Sequence, residues 1–158
     1  MKRIKINTNQ SNFIGCWNLE NKKLCDEIIS FFEKNKNLQK KGITSYGENL
    51  EAKKTTDITI APKDLEKPGF EIFQKYFKEL HKCYLDYQNQ WPLVKNTFKN
   101  IDIGIFNVQK YNPGDHFANL HCERSSLDSL HRLFAWMTYL NDVEDGGKTN
   151  FAYYDVKI

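Results

Sequence analysis

The sequence predicts an α+β fold in one domain, with helices that pack against an antiparallel sheet or a jelly roll. Helical patterns occur within residues 1–100, whereas short strand patterns separated by turns occupy residues 101–158. Helices followed by a run of strands are typical of this fold class. An apolar content of 40% and an aromatic content of 14% indicate enough core-forming side chains for a globular protein. We therefore expect residues 1–158 to share one core.

The N-terminal part contains an edge element and the first helix. Residues 2–6 alternate between charged and apolar side chains, which predicts an edge strand or an extended arm within residues 1–18. Asn18 is the predicted N-cap of a helix that ends near Lys34. The apolar stripe of this helix consists of Leu24, Ile28, Phe31 and Phe32.

A short strand and a second helix are predicted in the middle of the chain. Residues 53–60 alternate at their apolar end and stop at Pro62, which favours a strand. The helix follows Pro68 and Gly69, reaches Trp91 and carries apolar residues at steps of three and four. We interpret this stripe as core packing, not as a ligand-binding surface. Its members are Phe70, Phe73, Phe77, Leu80, Tyr84 and Tyr87.

Strands separated by turns are predicted in the second part of the chain. Pro113 and Gly114 mark one turn, and residues 145–147 mark another. The predicted strands cover residues 101–110, 116–123, 131–140 and 148–156.

Charge and cysteine patterns exclude several classes of partner. The net charge is only +3 and the lysines are dispersed, so no basic surface for nucleic acid is expected. No apolar run approaches the length of about 20 residues that crosses a bilayer, and no membrane partner is expected either. The four cysteines form no Cys-x-x-Cys pair, which predicts reduced thiols and a cytoplasmic location. They are Cys16, Cys25, Cys83 and Cys122.

His121 and Glu123 are the candidate metal ligands. Residues two apart on a strand point to the same side, so the imidazole and the carboxylate would converge there. One more histidine would complete the two-histidine, one-carboxylate triad that binds Fe(II) and leaves positions open for dioxygen and a cosubstrate. The competing interpretation is a surface strand with two polar residues facing water.

The surrounding residues resemble a known family in both order and spacing. The run begins with Tyr111-Asn112-Pro113-Gly114-Asp115 and continues with His121-Cys122-Glu123, Arg132, Tyr139-Leu140-Asn141-Asp142 and Gly146-Gly147-Lys148-Thr149-Asn150-Phe151. It resembles the core of the prolyl 4-hydroxylase-like family of 2-oxoglutarate- and Fe(II)-dependent oxygenases. The resemblance is clear over residues 101–156 and weaker upstream, where residues 54–57 and the helices are similar to the N-terminal support of that family.

The resemblance implies a double-stranded β-helix whose catalytic core begins at residue 101 and whose supporting helices lie within residues 1–100. It implies that His121 and Glu123 bind Fe(II) and that Tyr139 and Tyr111 line the pocket for 2-oxoglutarate, with Thr149 beside them. Ascorbate is a further expected cofactor, and a peptide or protein is the expected substrate, hydroxylated at proline. The alternative for both tyrosines is a core position with a satisfied hydroxyl.

The resemblance also implies residues that are not found after Phe151. The second iron histidine and the arginine or lysine that pairs with 2-oxoglutarate are expected there, but Lys157 is the sole cation in that stretch. His116 lies an odd number of residues before His121, and His131 is expected at the rim. We therefore expect a C-terminally truncated copy with an incomplete jelly roll. Three explanations are open. A second polypeptide supplies the missing strands, the chain is a fragment, or the protein is an inactive relative that acts as a binding or assembly module.

Overall fold

The computed structural model describes residues 1–8, 11–98 and 100–158. Within these residues lie helices α1 (Lys22–Lys34), α2 (Glu71–Gln90) and α3 (Pro92–Thr97). The strands are β1 (Lys2–Ile4), β2 (Cys16–Asn18), β3 (Lys40–Lys41), β4 (Lys53–Lys54), β5 (Thr56–Ile60), β6 (Phe106–Lys110), β7 (His116–Phe117), β8 (Asn150–Phe151) and β9 (Val156–Lys157). The predicted α+β class is confirmed.

The largest sheet has the strand order β3-β5-β6, and each neighbouring pair is antiparallel. Three two-stranded antiparallel sheets accompany it: β1-β2, β4-β7 and β8-β9. These small sheets match the predicted helix-and-sheet arrangement at the level of fold class. The double-stranded β-helix stays a prediction.

The two faces of the β3-β5-β6 sheet differ in chemistry. Ile58 and Ile60 on β5 and Val108 on β6 are buried in the core that α1 and α2 cover. Residues between them point to the other face, because successive strand residues alternate. There Thr59 donates to Asn107 at 2.8 Å, and polar side chains continue along both strands. One face therefore supplies the core, and the opposite face, which we call the polar face, carries hydrogen-bonding side chains.

Helix α1 confirms its predicted stripe and corrects its predicted cap. Leu24, Ile28, Phe31 and Phe32 are all buried. The N-cap is Asn21, whose Oδ1 accepts from the Leu24 amide at 3.2 Å, so the prediction of Asn18 was wrong. Asn18 instead accepts from the amide of Glu20, a residue with a φ of 54°. That left-handed residue turns the chain between the strand and the helix.

We predict that Asn21→Ala lowers the free energy of unfolding by about 1 kcal/mol, because the first-turn amide loses its side-chain acceptor. Asn21→Asp keeps an acceptor at the same position and should unfold with nearly the wild-type free energy. Urea denaturation followed by circular dichroism measures both. Equal stability of Asn21→Ala and wild type would contradict the assigned cap.

Helix α2 confirms the prediction of core packing. Phe73 is buried, and its ring makes an edge contact with Phe31 at a centroid distance of 4.9 Å. Phe70, Phe77 and Leu80 are partly buried against the same core. Further along, Tyr84 and Tyr87 contact Phe134 from the second half of the chain. The helix thus packs against α1, the sheet and the later extended segment.

The predicted strands after residue 100 are shorter than expected. Residues 101–110 form a strand only from Phe106, and residues 116–123 only at His116–Phe117. Residues 148–156 form β8, a 3₁₀ turn at Ala152–Tyr154 and the start of β9. In the part of the chain that the structure describes, the remaining backbone has no neighbouring strand with which to form a ladder, and alternation of side chains alone does not create one.

Residues 131–140 illustrate this difference most clearly. No strand is assigned to them, yet their burial alternates, with Phe134, Trp136, Thr138 and Leu140 less exposed than their neighbours. Thr138 Oγ1 lies 2.7 Å from the Tyr76 hydroxyl of α2, and the Trp136 ring contacts Phe77. Alternate side chains therefore face the core as they would on a strand, although residues 131–140 do not form the predicted strand. Side chains, without a backbone ladder, hold this segment.

The N-terminal prediction of an edge strand is confirmed by β1 and β2, although residues 9 and 10 of the predicted arm, like residue 99, lie outside the described residues. Arg3 and the Trp17 indole both donate to the Asp86 carboxylate of α2, at 2.9 and 2.7 Å.

None of the helices in the described ranges is long and apolar enough to span a membrane. All four cysteines are free thiols.

Candidate metal and cosubstrate site

His121 and Glu123 lie in the loop that follows β7, not on a strand as predicted. They nevertheless converge, because His121 Nε2 and Glu123 Oε1 are 3.6 Å apart. Each side chain is 46% exposed, so solvent or a ligand can reach both donor atoms. The loop therefore brings together the two predicted metal ligands.

The His121 ring is held by contacts on one face and at one nitrogen. It stacks on Phe117 with a centroid distance of 4.3 Å and an interplanar angle of 17°. Its Nδ1 lies 2.9 Å from the carbonyl oxygen of Asn119. Since a carbonyl oxygen can only accept, Nδ1 is the donor in this contact, and Nε2 is the ring nitrogen that faces Glu123. Metal-binding histidines are oriented in the same way.

Glu123 has a second partner that sequence analysis did not assign. Arg132 Nη1 donates to Glu123 Oε2 at 3.0 Å, while Oε1 faces His121. The guanidinium thus occupies one carboxylate oxygen and leaves the other for a ligand. Only the position of Arg132 in the family-like run hinted at a role.

The two donors fit a small divalent ion. Two atoms that each lie about 2.1 Å from one ion, at an angle of about 90° to 110°, are roughly 3.0 to 3.4 Å apart. The observed 3.6 Å needs only a small rotation of two half-exposed side chains. One imidazole nitrogen and one carboxylate oxygen are a donor set that suits Fe(II).

No third donor joins them within the described part of the chain, where no cluster of three histidine, cysteine or acidic residues is arranged to hold a metal. His116 is engaged elsewhere, since its Nε2 lies 3.1 Å from the Glu51 carbonyl oxygen. His131 is exposed.

Tyr139 and Thr149, two of the predicted cosubstrate residues, are in direct contact. The Tyr139 hydroxyl and Thr149 Oγ1 are 2.5 Å apart, and the Thr149 amide donates to the same hydroxyl at 3.0 Å. Tyr139 also donates to the carbonyl of Ile158 at 3.1 Å. The Tyr139 hydroxyl therefore connects the β8-β9 hairpin to the segment of residues 131–140. Binding a carboxylate would redirect one of these bonds.

Tyr111 is the third predicted cosubstrate residue and follows β6 directly. Its hydroxyl donates to Gln109 Oε1 at 3.4 Å. Burial raises the pKa of Tyr111 above its ordinary value, and the negative charge of Asp57 raises it further. A phenol is a hydrogen-bond donor at neutral pH even at its ordinary pKa of about 10, and the raised pKa of Tyr111 extends this to higher pH.

A buried ion pair lies on the polar face and was not predicted. Lys53 Nζ contacts Asp57 Oδ2 at 2.7 Å, with both side chains less than one-tenth exposed. Thr55 Oγ1 donates to Asp57 Oδ1 at 2.7 Å, and Gln109 Nε2 donates to Oδ2 at 3.1 Å. The available signal was the spacing of Lys53, Thr55 and Asp57, which places three polar residues on one side of a strand.

Gly42 closes this pair from one side. A Cβ at this position would lie 1.9 Å from Thr55 Oγ1 and 2.9 Å from Lys53 Cε, which leaves no room for a side chain. The Gly42 amide donates to the Thr55 carbonyl at 2.9 Å. The backbone of residue 42 therefore lies directly against the ion pair.

The described structure also contains a cleft of about 340 Å³, lined by residues 4–7, Cys16 and residues 155–158. None of the predicted site residues lines it.

Comparison with protein-family models, with curated proteins and with solved structures finds no match to this chain.

Proposed function

We propose that this protein is a 2-oxoglutarate- and Fe(II)-dependent dioxygenase that hydroxylates a peptide or protein substrate at proline. The observation that carries the proposal is the approach of His121 Nε2 to Glu123 Oε1 at 3.6 Å, with Nδ1 bound to a carbonyl. The family resemblance of residues 101–156 supplies the reaction class. The free thiols support a cytoplasmic location.

Each predicted site residue has a role in this proposal. His121 and Glu123 would hold the iron, and Tyr139, Tyr111 and Thr149 would line the pocket for 2-oxoglutarate. When bound, Fe(II) and 2-oxoglutarate supply the oxidising chemistry that hydroxylates an unactivated C–H bond, and ascorbate would keep the iron reduced.

The chain's own groups orient the donors and limit access of water. The Asn119 carbonyl fixes the proton of His121 on Nδ1, and Arg132 holds Glu123 so that only Oε1 is free. Phe117 covers one face of the imidazole and excludes water there. The Tyr111 hydroxyl is protonated at neutral pH, as a phenol ordinarily is, so it can donate to an anionic cosubstrate.

The proposal predicts that wild-type protein releases succinate from 2-oxoglutarate in the presence of Fe(II), ascorbate and a proline-containing peptide. His121→Ala should lower the rate at least about 100-fold, because a metal ligand is lost. His131→Ala, which removes an exposed histidine outside the site, should leave the rate unchanged. Absence of succinate from the wild type, or equal release by His121→Ala, would reject the enzyme proposal.

A second candidate function is a non-catalytic binding or assembly module that receives strands from a second polypeptide. It is favoured by the extended segment 131–140, in which Leu133, Met137 and Tyr139 are exposed and no backbone ladder is formed in the described structure. A strand from another chain could complete that ladder. Succinate release by wild type with loss in His121→Ala would decide against this module as the main function.

A further inference from the structure

We propose that the buried pair of Lys53 and Asp57 is a positioning element that holds both halves of the candidate site, a role that rests on the proposed function. Neither residue contacts His121 or Glu123 directly. Lys53 instead contacts Phe117, which stacks on His121. Asp57 contacts Gln109, which accepts from Tyr111. The pair would therefore set the geometry of the metal ligands and of the cosubstrate tyrosine together.

The first connection runs from Lys53 to the metal ligand. Lys53 and Phe117 are paired residues of the β4-β7 sheet, and Lys53 Nζ lies 5.5 Å from the centroid of the Phe117 ring. A cation at this distance from an aromatic face is attracted to it, most strongly when water is excluded. Phe117 in turn stacks on the His121 imidazole at 4.3 Å. Lys53 therefore fixes the ring that supports His121.

The second connection runs from Asp57 to the cosubstrate pocket. Asp57 Oδ2 accepts from Gln109 Nε2 at 3.1 Å, which orients the Gln109 amide. Gln109 Oε1 then accepts from the Tyr111 hydroxyl at 3.4 Å. Asp57 and Gln109 are paired residues of β5 and β6, so this contact crosses the polar face of the sheet. Asp57 thereby directs the phenol that we expect to meet 2-oxoglutarate.

The energetics of buried ion pairs favour a positioning role. Removing two charges from water opposes their mutual attraction, so apolar residues of similar size often stabilise a fold equally well. What apolar residues cannot supply is a cation beneath Phe117 and an acceptor for Gln109. The two directed contacts, and not added stability, are the property that this pair contributes to the site.

The test compares wild type with the double variant Lys53→Met/Asp57→Leu, which removes both charges while filling their volume. Isothermal titration with Co(II), as a redox-stable substitute for Fe(II), and then with 2-oxoglutarate measures both affinities. We expect both to weaken about 10- to 100-fold in a folded protein, as is common when groups that orient metal ligands are lost. The ring-proton NMR resonances of His121 should also lose the shift caused by the Phe117 ring current.

The matched control is Lys110→Met/Glu33→Leu, which removes another lysine–carboxylate pair that β6 forms with α1, at 2.6 Å. It should leave both affinities and the His121 resonances unchanged. A double variant of Lys53 and Asp57 that is folded and keeps wild-type affinities and resonances would overturn the positioning role alone. Absence of Co(II) binding by wild type would instead reject the proposed function, and the inference with it.

Discussion

Phe73→Ala is expected to lower the free energy of unfolding by about 3 to 5 kcal/mol, through lost burial and the cavity that remains. Phe73 is only 1% exposed and belongs to the core shared by both long helices and the sheet. Its ring contacts Phe31 of α1 at 4.9 Å and Phe106 of β6 at 5.6 Å. Truncation of Phe73 therefore removes contacts that join α1, α2 and β6.

The loss is a large part of the total stability of about 5 to 15 kcal/mol that is usual for a domain. Urea denaturation followed by tryptophan fluorescence measures it. Tyr153→Ala, at a side chain that is 93% exposed, is the control and should change stability by less than about 0.5 kcal/mol. A change of similar size in both variants would show that Phe73 is not central to the core.

Lys53→Met alone is expected to lower the free energy of unfolding by about 3 to 5 kcal/mol, because it leaves the Asp57 carboxylate buried without its cation. Thr55 and Gln109 still donate to Asp57, but neutral donors do not replace a positive charge at 2.7 Å. Chemical denaturation at pH 7 measures the loss.

The companion variant Lys53→Met/Asp57→Leu should recover most of this stability, to within about 1 to 2 kcal/mol of wild type, since no unpaired charge remains. This recovery separates the electrostatic cost of one buried charge from the packing of two side chains. If the double variant were as unstable as Lys53→Met, the loss would come from packing around Gly42 and not from the charge on Asp57.

The helices could be predicted from the sequence because a single helix shows its buried face within its own residues. Leu24 and Ile28 recur at the helical step and are buried, as expected. The predicted N-cap of α1 was wrong because the capping position depends on where the preceding turn ends. Glu20 adopts a left-handed conformation that shifts the start of α1 from Asn18 to Asn21.

The extent of the strands was less predictable, because a ladder depends on a partner far away in the chain. β5 was expected and forms, since it pairs along its whole length with β6. Residues 131–140 alternate as a strand does, but within the described structure no neighbouring backbone meets them. The local pattern therefore led to the prediction of a strand, but the backbone pairing that a strand needs cannot be read from these residues alone.

The proximity of His121 and Glu123 was expected from their spacing on a strand, but a loop brings their side chains to 3.6 Å. Their role as metal ligands stays a prediction. The contacts of Arg132 and Lys53 could not be predicted, because they join residues whose proximity arises only after folding. Arg132 is nine residues from Glu123, and Lys53 reaches Phe117 across the β4-β7 sheet.

The side-chain attachment of residues 131–140 has a structural consequence. Arg132 at one end of this segment contacts Glu123, and Tyr139 at the other end contacts Thr149. Thr138 and Trp136 anchor the segment between them on α2. Within the described structure, this segment therefore joins the loop of Glu123 to the β8-β9 hairpin through side-chain contacts, with α2 as their common support.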